Sequence, residues 1–115
     1  MELRNKVVLI TGGSQGIGEE IARTFAAEGA TCAVVASSNI RKANKVAKEL
    51  KRKSKGYVCN VAKPAEVNKL VESVIKDFKK IDILVNAAGV FYPTAAGETK
   101  SADMNRMVDI NLKGN

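Results

Sequence analysis

Thr11-Gly12-Gly13-Ser14-Gln15-Gly16-Ile17-Gly18 directly follows the apolar run Lys6–Ile10 and opens a helical pattern that runs to about Glu28. Apolar run, glycine-rich turn and helix, in that order, is the context in which glycines accommodate phosphate. Gly12 permits a sharp turn out of a strand, because it has no Cβ and reaches positive φ cheaply. Gly16 and Gly18 let a ligand and the neighbouring sheet approach the first helical turn closely. The unpaired N–H groups of that turn, with the positive end of the helix dipole, attract a diphosphate. The glycines are spaced T-G-x-x-x-G-x-G, one residue longer inside the turn than the common dinucleotide fingerprint.

Working outward, apolar runs and helical patterns alternate along the whole chain, the signature of βαβ units around a parallel sheet. Strands are predicted at Val7–Thr11, Thr31–Ala36, Gly56–Cys59 and Ile81–Val85. The first helix presents Ile17, Ile21 and Phe25 with Ala22 and Ala26 beside them, and Gly29 ends it. Ser38 or Asn39 can cap the second, whose stripe is Ile40, Ala43, Val46, Ala47 and Leu50. The third starts at Pro64 and carries Val67, Leu70, Val71, Val74, Ile75 and Phe78. A last helical pattern, capped by Ser101, runs through Met104, Met107, Val108 and Leu112.

Right-handed crossovers give an α/β, doubly wound parallel sheet of order 3-2-1-4, with helices on both faces. Direction reverses between strands one and four, and ligands bind outside the carboxyl ends of strands at such a point. The glycine turn ends strand one and Asn86-Ala87-Ala88-Gly89 ends strand four, so two independent lines lead to the same crevice.

The 115 residues suit one domain, and 45% hydrophobic with 27% charged residues are the proportions of a soluble globular protein. No run approaches the roughly 18 apolar residues of a membrane span. The strand begins too near Met1 for a signal peptide, so the cytoplasm is the expected compartment, with a mitochondrial location the alternative. Cys32 and Cys59 sit in apolar runs and read as buried reduced thiols without metal spacing. With no histidine, metal centres and triads built on that residue are excluded. Net charge is +7, and Arg41, Lys42, Lys45, Lys48, Lys51, Arg52, Lys53 and Lys55 lie together against one acid, Glu49. That run reads as the solvated face of an amphipathic helix and the following turn; without interleaved aromatics it does not support nucleic-acid binding.

Four motifs resemble the short-chain dehydrogenase/reductase family. The glycine turn has that family's form. Asn86-Ala87-Ala88-Gly89 is similar to its N-N-A-G, with Ala87 in place of the second Asn. Asn111-Leu112-Lys113-Gly114 looks like the N-x-x-G of its fifth helix. Cys59-Asn60-Val61 falls where many members carry Asp-Val, and Asn60 is the variant of bacterial-type 3-oxoacyl-acyl-carrier-protein reductases. The resemblance spans the entire chain and implies a Rossmann-type domain of which residues 1–115 are the N-terminal portion. It implies cofactor contacts at Gly12, Ser14, Gln15, Gly16, Ile17, Gly18, Ser37, Ser38, Asn60, Val61, Asn86, Ala87 and Gly89. It also makes Asn111 a catalytic residue, whose backbone helps hold a water in a proton relay.

An acid at the end of strand two would bond the ribose hydroxyls of NAD and repel the extra phosphate of NADP. Here that strand ends Ala36-Ser37-Ser38-Asn39. Ser37 and Ser38 can donate to a phosphate, and Arg41 and Lys42 add charge, so NADP(H) is favoured over NAD(H). Many NADP-dependent relatives, however, carry Arg where this chain has Gln15.

The chemistry implied is carbonyl reduction or alcohol oxidation, using a Ser and a Tyr-x-x-x-Lys. Tyr57 and Tyr92 are the tyrosines present, with Val61 and Ala96 four residues on, so this chain supplies neither Tyr-x-x-x-Lys nor an evident catalytic Ser. A 3-oxoacyl-carrier-protein substrate is the favoured reading, with other carbonyls (steroid, retinoid, quinone) or a non-catalytic nucleotide-binding module as alternatives. The implied partners are a small-molecule or carrier-bound carbonyl substrate and further copies of the chain, in dimers or tetramers through helices four and five. Alone, this stretch is expected to be inactive and marginally stable, because strand four would be an unprotected edge.

Overall fold

The structure, a computed structural model, describes residues 3–50, 52–87 and, as backbone, 108–111. In chain order the elements are β1 (Val7–Thr11), α1 (Gly16–Ala27), β2 (Thr31–Ala36), α2 (Ile40–Leu50), β3 (Lys55–Val58), α3 (Pro64–Phe78), β4 (Ile83–Asn86) and β5 (Val108–Asn111). The sheet order is β3-β2-β1-β4-β5 with every pair parallel. The expected 3-2-1-4 order is therefore present, extended by one strand.

β1 is buried at all five positions. A strand covered on both faces can be continuously apolar, and side chains alternate between the faces. Val7 and Leu9 accordingly join Ala33, Val35, Leu84 and the α3 residues Val67, Leu70, Val71 and Val74. Val8 and Ile10 join Cys32, Val34, Val85, the α1 alanines Ala22 and Ala26, and the α2 residues Ala43, Val46, Ala47 and Leu50. The result is three layers, with α1 and α2 on one face of the sheet and α3 on the other.

The expected apolar face of α1 is rotated. Its buried positions are Gly18, Ala22 and Ala26, while Ile17 is 61% exposed and Ile21 and Phe25 pack only at the margin. Small residues bring α1 close to the sheet, as the 3.7 Å approach of the Cys32 thiol to the Ala22 carbonyl shows. The stripe of α2 is as expected except for Ile40, which is 42% exposed. Asn39 is the α2 cap: its Oδ1 accepts the N–H groups of Arg41 (3.1 Å) and Lys42 (3.2 Å). Gly29, with φ 103°, closes the end of α1 in a conformation that glycine adopts freely. Both cysteines are free and buried. Burial pushes the Cys32 thiol up to about 12 and the Cys59 thiol up to about 11, which makes them unreactive.

The bounds of two strands and one whole element differ from the sequence expectation. β3 is Lys55–Val58, one residue earlier at each end, and β4 is Ile83–Asn86, which starts two residues later and ends one later. Asp82 meets the start of β1 just before β4 begins: its carboxylate accepts the Val7 N–H at 2.8 Å and its own N–H donates to the Val7 carbonyl at 2.9 Å. The helix expected to run through Val108 is instead a strand there. Ile83 lies opposite Val108 and Asn86 opposite Asn111 in parallel register. Pairing satisfies the open edge of β4, and β-branched Val108 and Ile110 suit a pleated ladder, so a long-range demand overrides the local helical spacing. β4 is thus not an edge strand. Ser101, Met104, Met107 and Leu112 lie outside the described residues.

Leu9 is fully buried in the central strand. Leu9→Ala should cost about 2–5 kcal/mol, read as a lowered urea midpoint at unchanged m. On α3, Asp77 accepts Tyr57 Oη at 2.6 Å and Lys55 Nζ at 2.8 Å. Lys55 first and Tyr57 second hold the Asp77 carboxyl below its usual range. A carboxyl depressed in the folded state stabilises above the unfolded value of about 3.9 and loses that effect as pH falls below it. Asp77→Asn should therefore flatten the fall in thermal midpoint below about pH 4.

Candidate functional site

β1 ends at Thr11, and the chain must turn at once to lay α1 against the sheet. Gly12 makes that turn at φ 73°. The N–H groups of Gly12 and Gly13 both donate to the Val35 carbonyl, at 2.9 and 3.2 Å, which ties the turn to β2. A Cβ on Gly18 would collide with the Gly12 carbonyl and stand 3.1 Å from the Gly13 Cα, so only glycine lets α1 enter beneath the turn. Gly16 is the opposite case, with φ 59° and nothing within 4 Å of a Cβ built on it, which leaves open space on the ligand side. Gln15, the residue just before α1, makes no side-chain capping bond, and the Glu19 N–H reaches back to the Gln15 carbonyl at 3.3 Å. The N–H groups of the first turn have no helical acceptor and face the position where an anion would sit.

Gly12, Ser14, Gln15, Gly16, Ile17, Gly18, Ser37 and Ala87 line a cleft of ≈ 400 Å³. Three elements contribute: the β1–α1 turn, the end of β2 and the end of β4, on either side of the reversal in strand order. Exposed Ile17 belongs here as the apolar wall of the cleft. Behind it lies a buried polar pair. Thr11 and Asn86 are the polar side chains among the buried described residues, at 0% and 1% exposure, and the Thr11 hydroxyl donates to Asn86 Oδ1 at 3.0 Å. The Ala87 N–H donates to the Thr11 carbonyl at 3.0 Å. Asn86 therefore braces β1 against β4 and presents Ala87 to the cleft, without lining it.

At the rim, Lys42 Nζ donates to Gln15 Oε1 at 2.9 Å, a bond between residues 27 apart in sequence that brings an ammonium to the turn. Ser37, Ser38 and Arg41 are exposed. Beside them a groove of ≈ 430 Å³ between α1 and α2 includes Lys42 and Lys45. Its acids are engaged: Arg23 pairs with Glu19 at 2.6 Å and with Glu49 at 2.5 Å. The rim that follows β2 is thus cationic and, among the described residues, carries no free carboxylate. The sequence named Gln15 and Lys42 separately; their bond has no local signal because it depends on how α2 packs against α1.

The other residues singled out in the sequence are distributed more widely. Asn60 is exposed; its Oδ1 accepts the Ala62 N–H at 3.0 Å, and its own N–H donates to Glu66 Oε1 at 2.9 Å, so it organises the entry to α3. Val61 packs against the core beneath α3. Neither lines the described cleft. Asn111 ends β5 opposite Asn86, on extended backbone and not on the helix implied by the resemblance. Gly89 lies outside the described residues. Among the described residues, no cluster of three or more acids and cysteines could hold a metal ion, and no helix is long and apolar enough to cross a membrane.

The two glycines of the first helical turn should separate by substitution. Gly18→Ala forces backbone apart and should cost about 1–3 kcal/mol or more, as overpacking does. Gly16→Ala meets no atom and bears only the left-handed backbone, about 1–2 kcal/mol. Thermal and urea midpoints measured on both variants check the order.

A family profile described as short chain dehydrogenase matches residues 6–115. The chain is 36% identical to a 3-oxoacyl-(acyl-carrier-protein) reductase of Thermotoga maritima, over 99% of its own length and 47% of the relative's. It is 39% identical to a galactitol 2-dehydrogenase of Agrobacterium fabrum, over 99% of this chain and 44% of that one. The chain thus spans about half the length of the curated relatives it matches. Among solved structures, a short-chain dehydrogenase/reductase from Serratia marcescens superposes with a TM-score of 0.72 at 34% identity, covering 79% of this chain and 38% of the other. A hydroxysteroid dehydrogenase from Escherichia coli superposes with a TM-score of 0.66 at 36% identity, covering 74% and 36%. The glycine turn, the parallel sheet reversing beside it and the profile match along residues 6–115 make this chain a member of the short-chain dehydrogenase/reductase family, whose members bind nicotinamide cofactors.

Proposed function

We propose that residues 1–115 are the N-terminal, cofactor-holding portion of an NADP(H)-dependent reductase that acts on a carbonyl, with a 3-oxoacyl group on a carrier protein as the favoured substrate. The observation that carries the cofactor choice is the rim after β2, where Lys42 is bonded to Gln15 beside Ser37 and no carboxylate is free among the described residues. A phosphate monoester placed there would meet an ammonium and hydroxyl donors, whereas an acid would be needed to select bare ribose hydroxyls. The open first turn of α1, where a Cβ placed on Gly16 would meet nothing within 4 Å, fits a diphosphate.

In this reading Gly12, Ser14, Gln15, Gly16, Ile17 and Gly18 hold the diphosphate. Ser37 and Ser38 take the ribose phosphate, and Asn60 and Val61 approach the adenine. Ala87 and Gly89 border the adenosine, with Asn86 bracing them. The bound nicotinamide would supply a hydride to the carbonyl carbon. The proton for the oxygen would come from a tyrosine that residues 1–115 do not supply: neither Tyr57 nor Tyr92 has a lysine four residues on, and Tyr57 donates to Asp77 and is held far above its usual range by burial first and that carboxylate second. Asn111 is proposed to help order a water for that proton. The substrate preference rests on the reductase relative and on Asn60; the galactitol and hydroxysteroid enzymes named above support the broader class of carbonyl and alcohol substrates. A homo-oligomer in the cytoplasm completes the proposal.

Titration of the purified protein with NADPH and NADH, followed by nicotinamide fluorescence, tests the cofactor reading. NADPH should bind more tightly. Lys42→Ala should weaken NADPH about tenfold, the equivalent of one charge-assisted hydrogen bond, and leave NADH unchanged. Equal losses for both cofactors, or tighter NADH binding by the unaltered protein, would overturn the NADP assignment. The 115-residue chain alone should give no NADPH-dependent turnover of a 3-oxoacyl thioester, and measurable turnover would refute the assignment of the missing acid.

A further inference from the structure

A larger cavity lies at the other pole of the sheet. It occupies ≈ 590 Å³ at the amino ends of β1, β2 and β3, a size typical of small-molecule pockets. Val7 and Phe78 give it an apolar floor, and around them stand Thr31, three lysines (Lys53, Lys55 and Lys80) and one carboxylate, Asp77. The glycine turn and Ser37, at the carboxyl ends of β1 and β2, line a different cleft, so neither the family's cofactor nor the proposed function uses this one.

Its charges are arranged so that two lysines are held by carboxylates and the third has no ionic partner among the described residues. Lys55 Nζ bonds Asp77 Oδ2 at 2.8 Å, and Lys80 Nζ lies 3.1 Å from Asp82 Oδ2. Each of these acids is also engaged elsewhere, Asp77 by Tyr57 Oη at 2.6 Å and Asp82 by the Val7 N–H at 2.8 Å. An ammonium has three donors, so Lys55 and Lys80 keep N–H groups for a further acceptor. Lys53 has no ion pair among the described residues. It is also placed against conformational preference: Arg52 and Lys53 are consecutive left-handed residues, with φ 54° and 62°. Long side chains adopt that backbone at a cost and do so where surrounding structure imposes it. Here the Thr31 hydroxyl donates to the Arg52 carbonyl at 2.8 Å, and Ser54 Oγ accepts the Cys32 N–H at 3.0 Å. Two side-chain bonds to the start of β2 therefore clamp the turn that carries Lys53 to the rim of the cavity.

We propose that this cavity is a second ligand site, for a small organic anion whose carboxylate or phosphate is taken by Lys53, Lys55 and Lys80 and whose apolar body rests on Val7 and Phe78. An anionic head satisfies the donors that Asp77 and Asp82 leave over, and the floor excludes water from a short hydrocarbon or ring. An inorganic ion would leave that floor uncovered.

Backbone amide shifts of the purified protein, titrated with phenyl phosphate and separately with benzoate at constant ionic strength, test the site. The expected result is saturable movement at Thr31, Lys53–Lys55 and Lys80, with the tighter of the two probes naming the anion. Lys53→Asn removes the charge while placing in the left-handed turn a residue that tolerates it, so the thermal midpoint should not fall and the dissociation constant should rise at least fivefold. Movement of equal size with inorganic phosphate or sodium chloride would overturn the proposal. So would shifts confined to the Gly12–Gly18 turn, the absence of saturation, or unchanged binding by Lys53→Asn. Cofactor binding at the glycine turn is read at different residues, so either site can fail without the other.

Discussion

β1 is hydrogen-bonded on both edges and covered on both faces, and the placement of every other element follows from that. Its five residues pair with β2 from Val7 to Thr11 and with β4 from Val8 to Thr11. Because it is central, its odd and even side chains each seed a separate core, one under α3 and one under α1 and α2. Its carboxyl end is then the one point at which strands on opposite sides come from opposite halves of the winding. Thr11 shows the consequence at atomic scale: its carbonyl and hydroxyl bond Ala87 and Asn86 of the β4 end, while the next residues bond the Val35 carbonyl of β2. A single strand terminus thus brings three chain segments to the same cleft.

The glycines of the turn act in distinct ways. Gly12 supplies a backbone angle, Gly18 removes a side chain that would strike the turn itself, and Gly16 keeps open the space in front of the helix. Electrostatics follows from this packing. Because α1 sits close under the turn, its first N–H groups point at the cleft in place of solvent. Because α2 lies beside α1 on the same face of the sheet, Lys42 reaches Gln15. Glu19 and Glu49, which could have countered that charge, are drawn off by Arg23.

The two poles of the sheet differ in how they are built. At the carboxyl end, glycines and backbone N–H groups offer donors without long side chains, which suits a ligand lying close against the main chain. At the amino end, lysines from the turn before β3, from the start of β3 and from the approach to β4 stand around an apolar floor, and carboxylates from α3 and from the approach to β4 hold two of them in place. The same parallel winding produces both, since it gathers all strand starts at one end and all strand ends at the other.

Much of this was determined by the sequence itself, wherever a local pattern and its structural consequence coincide. Continuous apolar runs bounded by turn residues placed β1 to β4 within a residue or two, the Val67–Val74 stripe placed α3, and the glycine spacing located the cleft. Tertiary structure alone decided the rest. The rotation of α1 onto Gly18, Ala22 and Ala26 depends on how closely the helix must approach β2, which hydrophobicity does not encode. Asn86 reads as a ligand residue by motif and is buried at 1% exposure because β1 needed a polar partner for Thr11. Val108–Asn111 has helical spacing and became β5 because an open strand edge offers hydrogen bonds that no local periodicity reveals. In each case the deciding partner lies far away in sequence, and its influence exists only once the chain is folded.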